Sequence, residues 1–354
     1  MASNRISNLP DSLLTRILSS LPIEDVVSTS ILSTRWRYMF ASLGRIKQFR
    51  LNRIDISGID DSRVCAWIYG AIWHGVKEID LVFALESNNI PMLPNALLFT
   101  CKTLVRLKLE IPFVMSVHIH VCLPSLKILV LRSTKFEDDD SVKTFFSGCP
   151  ILEQLSIFYC DMRNIIYLTI SIPSLKSLTL LLNDYPLDDH SLCLAFAIVI
   201  NLPSLVYFKY VDFRAKNYLT VNMPSLVRAG IKVPLPMEKV SSCLEHHLKK
   251  VNVLDFDDES SLFKLVTFIL KNATVLDKLK ICASQVLTAE EESKITEQLL
   301  SSQKNLLKNL AAMYIRTKEI DDQLTIAVPP DWTVKEGPAI RRKSRRWKLL
   351  GFRK

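Results

Sequence analysis

The sequence predicts an α/β solenoid: a short all-helical unit at the N-terminus, then a curved stack of repeated, strand-bearing units. Three observations carry this. An apolar template, L-x-x-L-x-L with other apolar residues allowed, recurs down the chain from Ile46 to Ile281. Four of its copies share a lead-in: LPSLK at 123, IPSLK at 172, LPSLV at 202 and MPSLV at 223. Residues 5–40, RISNLPDSLLTRILSSLPIEDVVSTSILSTRWRYMF, instead space their apolar residues as helices do.

Within that first stretch, Pro10 and Asp11 open a helix, because Pro is tolerated where the first N–H has no partner. Leu13, Leu14, Ile17, Leu18 and Leu21 recur at helical spacing and predict one apolar face. Pro22 ends this helix and starts a second, with Val26, Val27 and Ile31 on its inner side. Ser33 can cap a third, which carries Trp36, Arg37 and Phe40. So small a unit has a marginal core, and apolar surface it cannot bury belongs to a partner.

The residues Leu9-Pro10, Leu13, Ile17-Leu18, Leu21-Pro22, Val26-Val27, Ser30, Leu32-Ser33 and Trp36-Arg37 resemble the F-box, in its plant form. One departure is Phe40, where that family usually has Trp. The resemblance implies that Leu9, Pro10, Leu13, Ile17, Leu18, Leu21, Pro22, Val26, Leu32 and Trp36 carry contact with a Skp-type adaptor. Some of them must instead tie the three helices together.

The template copies begin at 46, 76, 104, 126, 152, 175, 205, 226, 248 and 276, which are 21 to 30 residues apart. That is the period of leucine-rich repeats. Each unit is expected to supply one short strand with its leucines inward, and the lead-in Pro fixes the turn into it. Alternation sends the intervening residues to the concave face. They are Arg106 and Lys108, Ile128 and Val130, Gln154 and Ser156, Ser177 and Thr179, then Tyr207 and Lys209. The late units offer Arg228, Lys250, Asn252, Lys278 and Lys280. This end is cationic: either it meets an acidic segment of a partner, or its lysines are solvated surface.

Residues 243–282 contain Cys243-Leu244, a strand around Val251 and Val253, and FILKNATVLDKLKI. They resemble the FBD region that follows leucine-rich repeats in plant F-box proteins. Leu262, Leu265, Val266, Ile269 and Leu270 form a helical apolar face. The predicted domains are therefore 1–45 F-box, 46–235 leucine-rich repeats, 236–304 FBD-like region continuing the repeat, and 305–354 extra helix and basic tail. The pattern is expected to fail after about 304. Residues 288–311 read as an amphipathic helix capped by Thr288, with Glu290–Glu292 at its positive end. The tail reads as disordered.

The 354 residues are 49% hydrophobic with a formal net charge of +9 and a mean hydropathy of +0.19. A large buried core is implied. Eight of the basic residues fall within 341–354, so residues 1–340 carry a net charge of only +1. Nucleic-acid binding is not expected of the folded face, and only the tail offers a basic run for it. RRKSRR reads as an import signal, a nonspecific phosphate binder, or a sequence without a role. The start has no apolar stretch of signal-peptide type, and the longest apolar run is too short to span a bilayer. A soluble protein of the nucleus, the cytoplasm or both, without membrane contact, is expected. Eight scattered cysteines with no C-x-x-C read as reduced thiols.

No chemistry-bearing motif emerges. His118 and His120, and the adjacent His246 and His247, lack partners at a metal-binding spacing. There is no P-loop, G-x-G-x-x-G or G-x-S-x-G. No enzyme activity, metal or cofactor is expected. The F-box resemblance implies a substrate-recognition subunit of a cullin-RING ubiquitin ligase, joined through its Skp-type adaptor, with the repeats holding the protein to be ubiquitinated. Arg228, Lys250, Lys278, Lys280 and Tyr207 are the candidate substrate contacts. Two other readings stand beside it: a small-molecule receptor of the same architecture, and a repeat scaffold that joins no ligase.

Overall fold

The structure, a computed structural model, describes residues 9–20, 35, 47–54, 61–83, 95–112, 114–115, 120–182, 197–211, 217–232, 241–256, 261–283 and 312–316. Eleven of its strands form one sheet in which every pairing is parallel. In order across the sheet they are β1 (Gln48–Ile54), β2 (Glu78–Phe83), β3 (Arg106–Glu110), β5 (Ile128–Arg132), β7 (Gln154–Phe158) and β9 (Ser177–Leu181). There follow β11 (Tyr207–Val211), β13 (Arg228–Ile231), β14 (Lys250–Phe256), β15 (Lys278–Ala283) and β16 (Ala312–Arg316). Each strand lies beside the previous unit's strand, so the chain climbs one rung per repeat, as the template predicts.

The template leucines are the core. Phe49 and Leu51 of β1, Leu107 and Leu109 of β3, Leu178 and Leu180 of β9 and Val251 and Val253 of β14 are all fully buried. They belong to one continuous apolar cluster running from Leu14 to Ile281. Removing such a side chain leaves a cavity that neighbours on both sides cannot fill, which costs about 2–5 kcal/mol for Leu to Ala.

Two local devices repeat at the rungs. In the Pro-Ser-Leu lead-ins, the N–H of Leu126, Leu175, Leu205 and Leu226 donates to the carbonyl of Leu123, Ile172, Leu202 and Met223 respectively, at 3.1–3.2 Å. That is a four-residue turn with Pro at its second position, where its fixed φ is already correct. At the joint between rungs, one carbonyl accepts from two successive N–H groups of the next unit. Lys127 O takes Glu153 N and Gln154 N, Lys176 O takes Val206 N and Tyr207 N, and Lys249 O takes Asp277 N and Lys278 N.

The connectors differ along the stack. Helices α2 (Asp61–Trp73) and α3 (Asn95–Leu98) serve the early units. Next come the short pair β4 (Val114–Met115) and β6 (Lys135–Phe136), and helix α4 (Asp139–Ser147). In the middle the connectors are themselves strands. Here β8 (Tyr167–Ser171), β10 (Ala197–Asn201) and β12 (Asn217–Asn222) form a second parallel sheet with β10 central. Leu168, Ile170, Ile198 and Ile200 of this sheet join the main core. The late units return to helices, α5 (Ser241–His246) and α6 (Ser261–Asn272). Leu265, Val266, Ile269 and Leu270 form the buried face of α6.

Two expectations need correction. The repeat does not stop near residue 304: AMYIR forms β16, with Met313 opposite Leu279 and Ile315 opposite Ile281. Nor do the leucines of the first helix, α1 (Asp11–Ser20), share one face. Leu14 is fully buried and belongs to the solenoid's own core, whereas Leu13 and Ile17 are exposed. The apolar partner that Leu14 needs is the solenoid's core cluster. The readings made of residues 21–34, 257–260, 288–311 and the basic tail fall outside the described residues.

Candidate functional site

Two surfaces can bind partners. The first is α1. Its N-terminal turn closes with Leu13 N and Leu14 N donating to Pro10 O at 3.0 and 3.1 Å. Arg35, distant in sequence, fastens this end. Its Nη2 donates to Asp11 Oδ1 at 2.7 Å and to Leu9 O at 2.6 Å, and its Nε donates to Asp11 Oδ1 at 3.1 Å. Both partners are well exposed, so their energetic weight is small and their role is to orient. Leu9 packs partly buried against the core. The helix thus turns Leu14 inward and presents Pro10, Leu13 and Ile17 outward, the last two one helical turn apart. Leu13 is 46% and Ile17 39% exposed. Leu18 lies on the same helix without a described side chain, and Leu21, Pro22, Val26, Leu32 and Trp36 lie outside the described residues.

The second surface is the face of the main sheet turned away from the leucine core. Parallel pairing puts equivalent positions of successive units side by side. One column runs Glu78, Arg106, Ile128, Gln154, Ser177, Tyr207, Arg228, Lys250, Lys278. The next runs Asp80, Lys108, Val130, Ser156, Thr179, Lys209, Gly230, Asn252, Lys280. The face divides into three zones.

In the early zone, cations and carboxylates answer each other. Arg106 lies 3.9 Å from Glu78, Lys108 lies 3.4 Å from Asp80 and 3.7 Å from Glu110, and Arg132 lies 3.7 Å from Glu110. Burial lowers the Arg106 pKa from its usual value, against the pull of Glu78 and Asp80. In the middle, Val130, Phe158, Leu181 and Val211 form a second apolar cluster, separate from the core, with Ile128, Tyr159 and Leu254 packed on it. Arg132 stacks over the Phe158 ring at 4.9 Å and the Tyr159 ring at 5.6 Å. In the late zone, Arg228, Lys250 and Lys278 are direct neighbours across β13, β14 and β15, with Lys280 two residues further along β15. Tyr207 adjoins them. Arg228 sits over its ring at 5.7 Å, and burial raises the Tyr207 pKa while Arg228 opposes the rise. The structure therefore brings all five predicted substrate contacts onto one patch.

Buried thiols take no part in either surface. Cys149, Cys160 and Cys243 are pushed up to about 12 by burial, which keeps them protonated and unreactive. Among the described residues, no group of three or more His, Cys, Asp and Glu side chains is placed to hold a metal ion. No described helix is long and apolar enough to cross a membrane.

Sequence comparison agrees with this architecture. An F-box domain model matches residues 6–48, a leucine-rich-repeat model described as "FBD-associated F-box protein At5g56370, LRR repeats" matches 64–192, and an FBD model matches 236–281. Relatives in Arabidopsis thaliana include "FBD-associated F-box protein At5g38590", 33% identical over 68% of this chain and 64% of the relative. "F-box/LRR-repeat protein At3g59250" is 35% identical over 67% of this chain and 54% of the relative. "F-box/LRR-repeat protein At3g26922" is 32% identical over 64% of this chain and 82% of the relative. The match thus spans between about half and two thirds of the first two relatives and most of the third. The chain belongs to the plant family of F-box/leucine-rich-repeat proteins with an FBD region.

Proposed function

We propose that this chain is a substrate-recognition subunit of a cullin-RING ubiquitin ligase. Its F-box docks on a Skp-type adaptor, and the open face of the solenoid holds the protein to be ubiquitinated. The observation that supports this best is the division of labour on α1. Leu14 is buried in the core cluster that runs through the solenoid, and Pro10, Leu13 and Ile17 are exposed on the same helix. A module fixed in this way to a repeat stack holds whatever the stack binds at a set distance from the adaptor. The chain's contribution to catalysis is then positional: it raises the effective concentration of substrate lysines near a conjugating enzyme's thioester.

The test is binding of the full chain to a purified plant Skp-type adaptor, with Leu13→Ala/Ile17→Ala as the variant. Each side chain has close to half of its surface still to bury. Full burial of such a side chain is worth about 1.5–3 kcal/mol, so the double variant should lose about 2 kcal/mol, or about thirtyfold in affinity. Equal binding by both chains would reject the docking surface, and no binding by a folded parent chain would reject the ligase role.

A further inference from the structure

The open face of the main sheet pairs cations with carboxylates in its early units and gathers cations side by side in its late ones. In the early units every described cation of β3 and β5 has a carboxylate on an adjacent position. In the late units the same two columns read Arg228, Lys250 and Lys278, then Gly230, Asn252 and Lys280, with no acid among them. Among the described residues no ion pair reaches Arg228, Lys250 or Lys280. Arg228, Lys250 and Lys278 are exposed and Lys280 is half-buried.

Adjacent parallel strands lie about 4.8 Å apart. Three cations therefore stand in a ladder about 10 Å long, and Lys280 widens it by about 7 Å along its strand. Like charges directly opposite one another on neighbouring strands repel, and an anionic partner laid across them relieves that repulsion. The patch is compact: it spans as much surface as two or three acidic side chains of an extended segment cover. Residues 1–340 carry a net charge of only +1, so the strip is a local gathering of positive charge and not part of a uniformly basic chain of the sort that binds nucleic acid by charge alone. On its inner flank the strip meets Tyr207, with Arg228 stacked on its ring, and then the apolar cluster that includes Val211 and Leu254.

We propose that this strip of β13, β14 and β15 is the docking site for an acidic peptide segment of the protein the solenoid recruits. Its carboxylates pair with Arg228, Lys250, Lys278 and Lys280. The proposal rests on the receptor reading above and specifies the chemistry of the substrate's recognised segment.

The experiment uses the full chain with the basic residues of 341–354 replaced by glutamine, since that block would bind acidic probes by itself. Fluorescence anisotropy is read with a short labelled peptide of alternating glutamate and alanine, its lysine-alanine counterpart, and an oligothymidylate of matched charge. Adaptor binding is measured on the same samples. The glutamate peptide should bind, weaken steeply as salt rises, and lose at least about tenfold in affinity in the Arg228→Glu/Lys250→Glu/Lys278→Glu/Lys280→Glu chain. Should charge reversal prevent folding, the glutamine replacements at these four positions should still weaken binding severalfold. The proposal is overturned by peptide affinity equal in the parent and glutamine chains, by no peptide binding at low salt, or by tighter binding of the oligothymidylate through the same residues. Adaptor binding separates the two claims. If it persists while the peptide fails, only the acidic-segment proposal falls. If it fails while the peptide binds, only the ligase reading does.

Discussion

Replacing Gly148 by alanine should destabilise the solenoid, although the general rule for glycine in an ordinary backbone conformation argues for the opposite sign. Gly148 caps α4, with its N–H donating to Phe145 O and Thr144 O. Its φ is −73°, a conformation alanine adopts freely, so on backbone grounds Gly148→Ala should stabilise by about 0.4–1 kcal/mol. The space decides otherwise. A Cβ on Gly148 would lie 2.5 Å from Val121 O, 2.6 Å from Val121 Cγ1 and 2.8 Å from Val121 C. Two of these three atoms are backbone, and that backbone is tied down, because Leu123 N donates to Gly148 O at 2.8 Å. Relief requires moving one repeat against the next. Overpacking of this kind costs about 1–3 kcal/mol, which outweighs the gain and leaves a net loss of about 1–2 kcal/mol. The assay is the urea midpoint by circular dichroism, together with amide hydrogen exchange of residues 121–128, since the strained joint should open there first. A variant as stable as the parent or more so, with unchanged protection at Leu123, would refute the reasoning.

Three further outcomes are expected. Asp139→Asn should lower stability by about 1 kcal/mol, because its two carboxylate oxygens accept from Ile166 N at 2.8 Å and Tyr167 N at 3.0 Å and so fix the start of β8; unchanged exchange at 166–168 would contradict this. Native chain treated with iodoacetamide at pH 8 should be modified at Cys65, Cys122 and Cys282 before Cys149, Cys160 or Cys243. The latter three, pushed up to about 12, hold only about one thiolate in ten thousand at that pH; peptide mapping reads the order. Arg163 grips Asp161 through three side-chain hydrogen bonds and holds its carboxyl below the usual range. The pair should stabilise the fold above the ordinary aspartate pKa of about 4 and lose its effect as pH falls through the folded value. Asp161→Asn should therefore cost less than about 1 kcal/mol at pH 7, the partner being largely exposed, and progressively less as pH falls below about 4; a loss that does not shrink with falling pH would exclude this linkage.

The rungs were readable because each obeys the same local rule. An apolar residue recurs at the first, fourth and sixth positions of a short segment, and from Phe49 to Ile281 each of them is buried for the same reason. The eleventh rung carries that signal too, as Leu310, Met313 and Ile315. It lies further from Leu276 than any other unit lies from its predecessor, so a rule of regular spacing passes over it. The second sheet was harder to see. YLTIS, AIVIN and NYLTVN have strand-like alternation, but nothing local says that three connectors will align with one another. The positions of the late cations were legible from alternation alone. What the sequence did not show was the contrast that gives them meaning, since Glu78 and Asp80 come to face Arg106 and Lys108 only once the register is fixed. Arg35 and Asp11 meet across 24 residues of sequence, and no spacing rule connects them. Leu14 could not be told from Leu13 by helical periodicity, because the solenoid that claims it is a tertiary neighbour.

The most direct test of the account is a titration of the full chain against a purified plant Skp-type adaptor, run beside the Leu13→Ala/Ile17→Ala chain. The account predicts tight binding by the parent and a loss of about thirtyfold in the variant, with both chains folded by circular dichroism. Binding that is identical in the two folded chains, or absent in both, would contradict it.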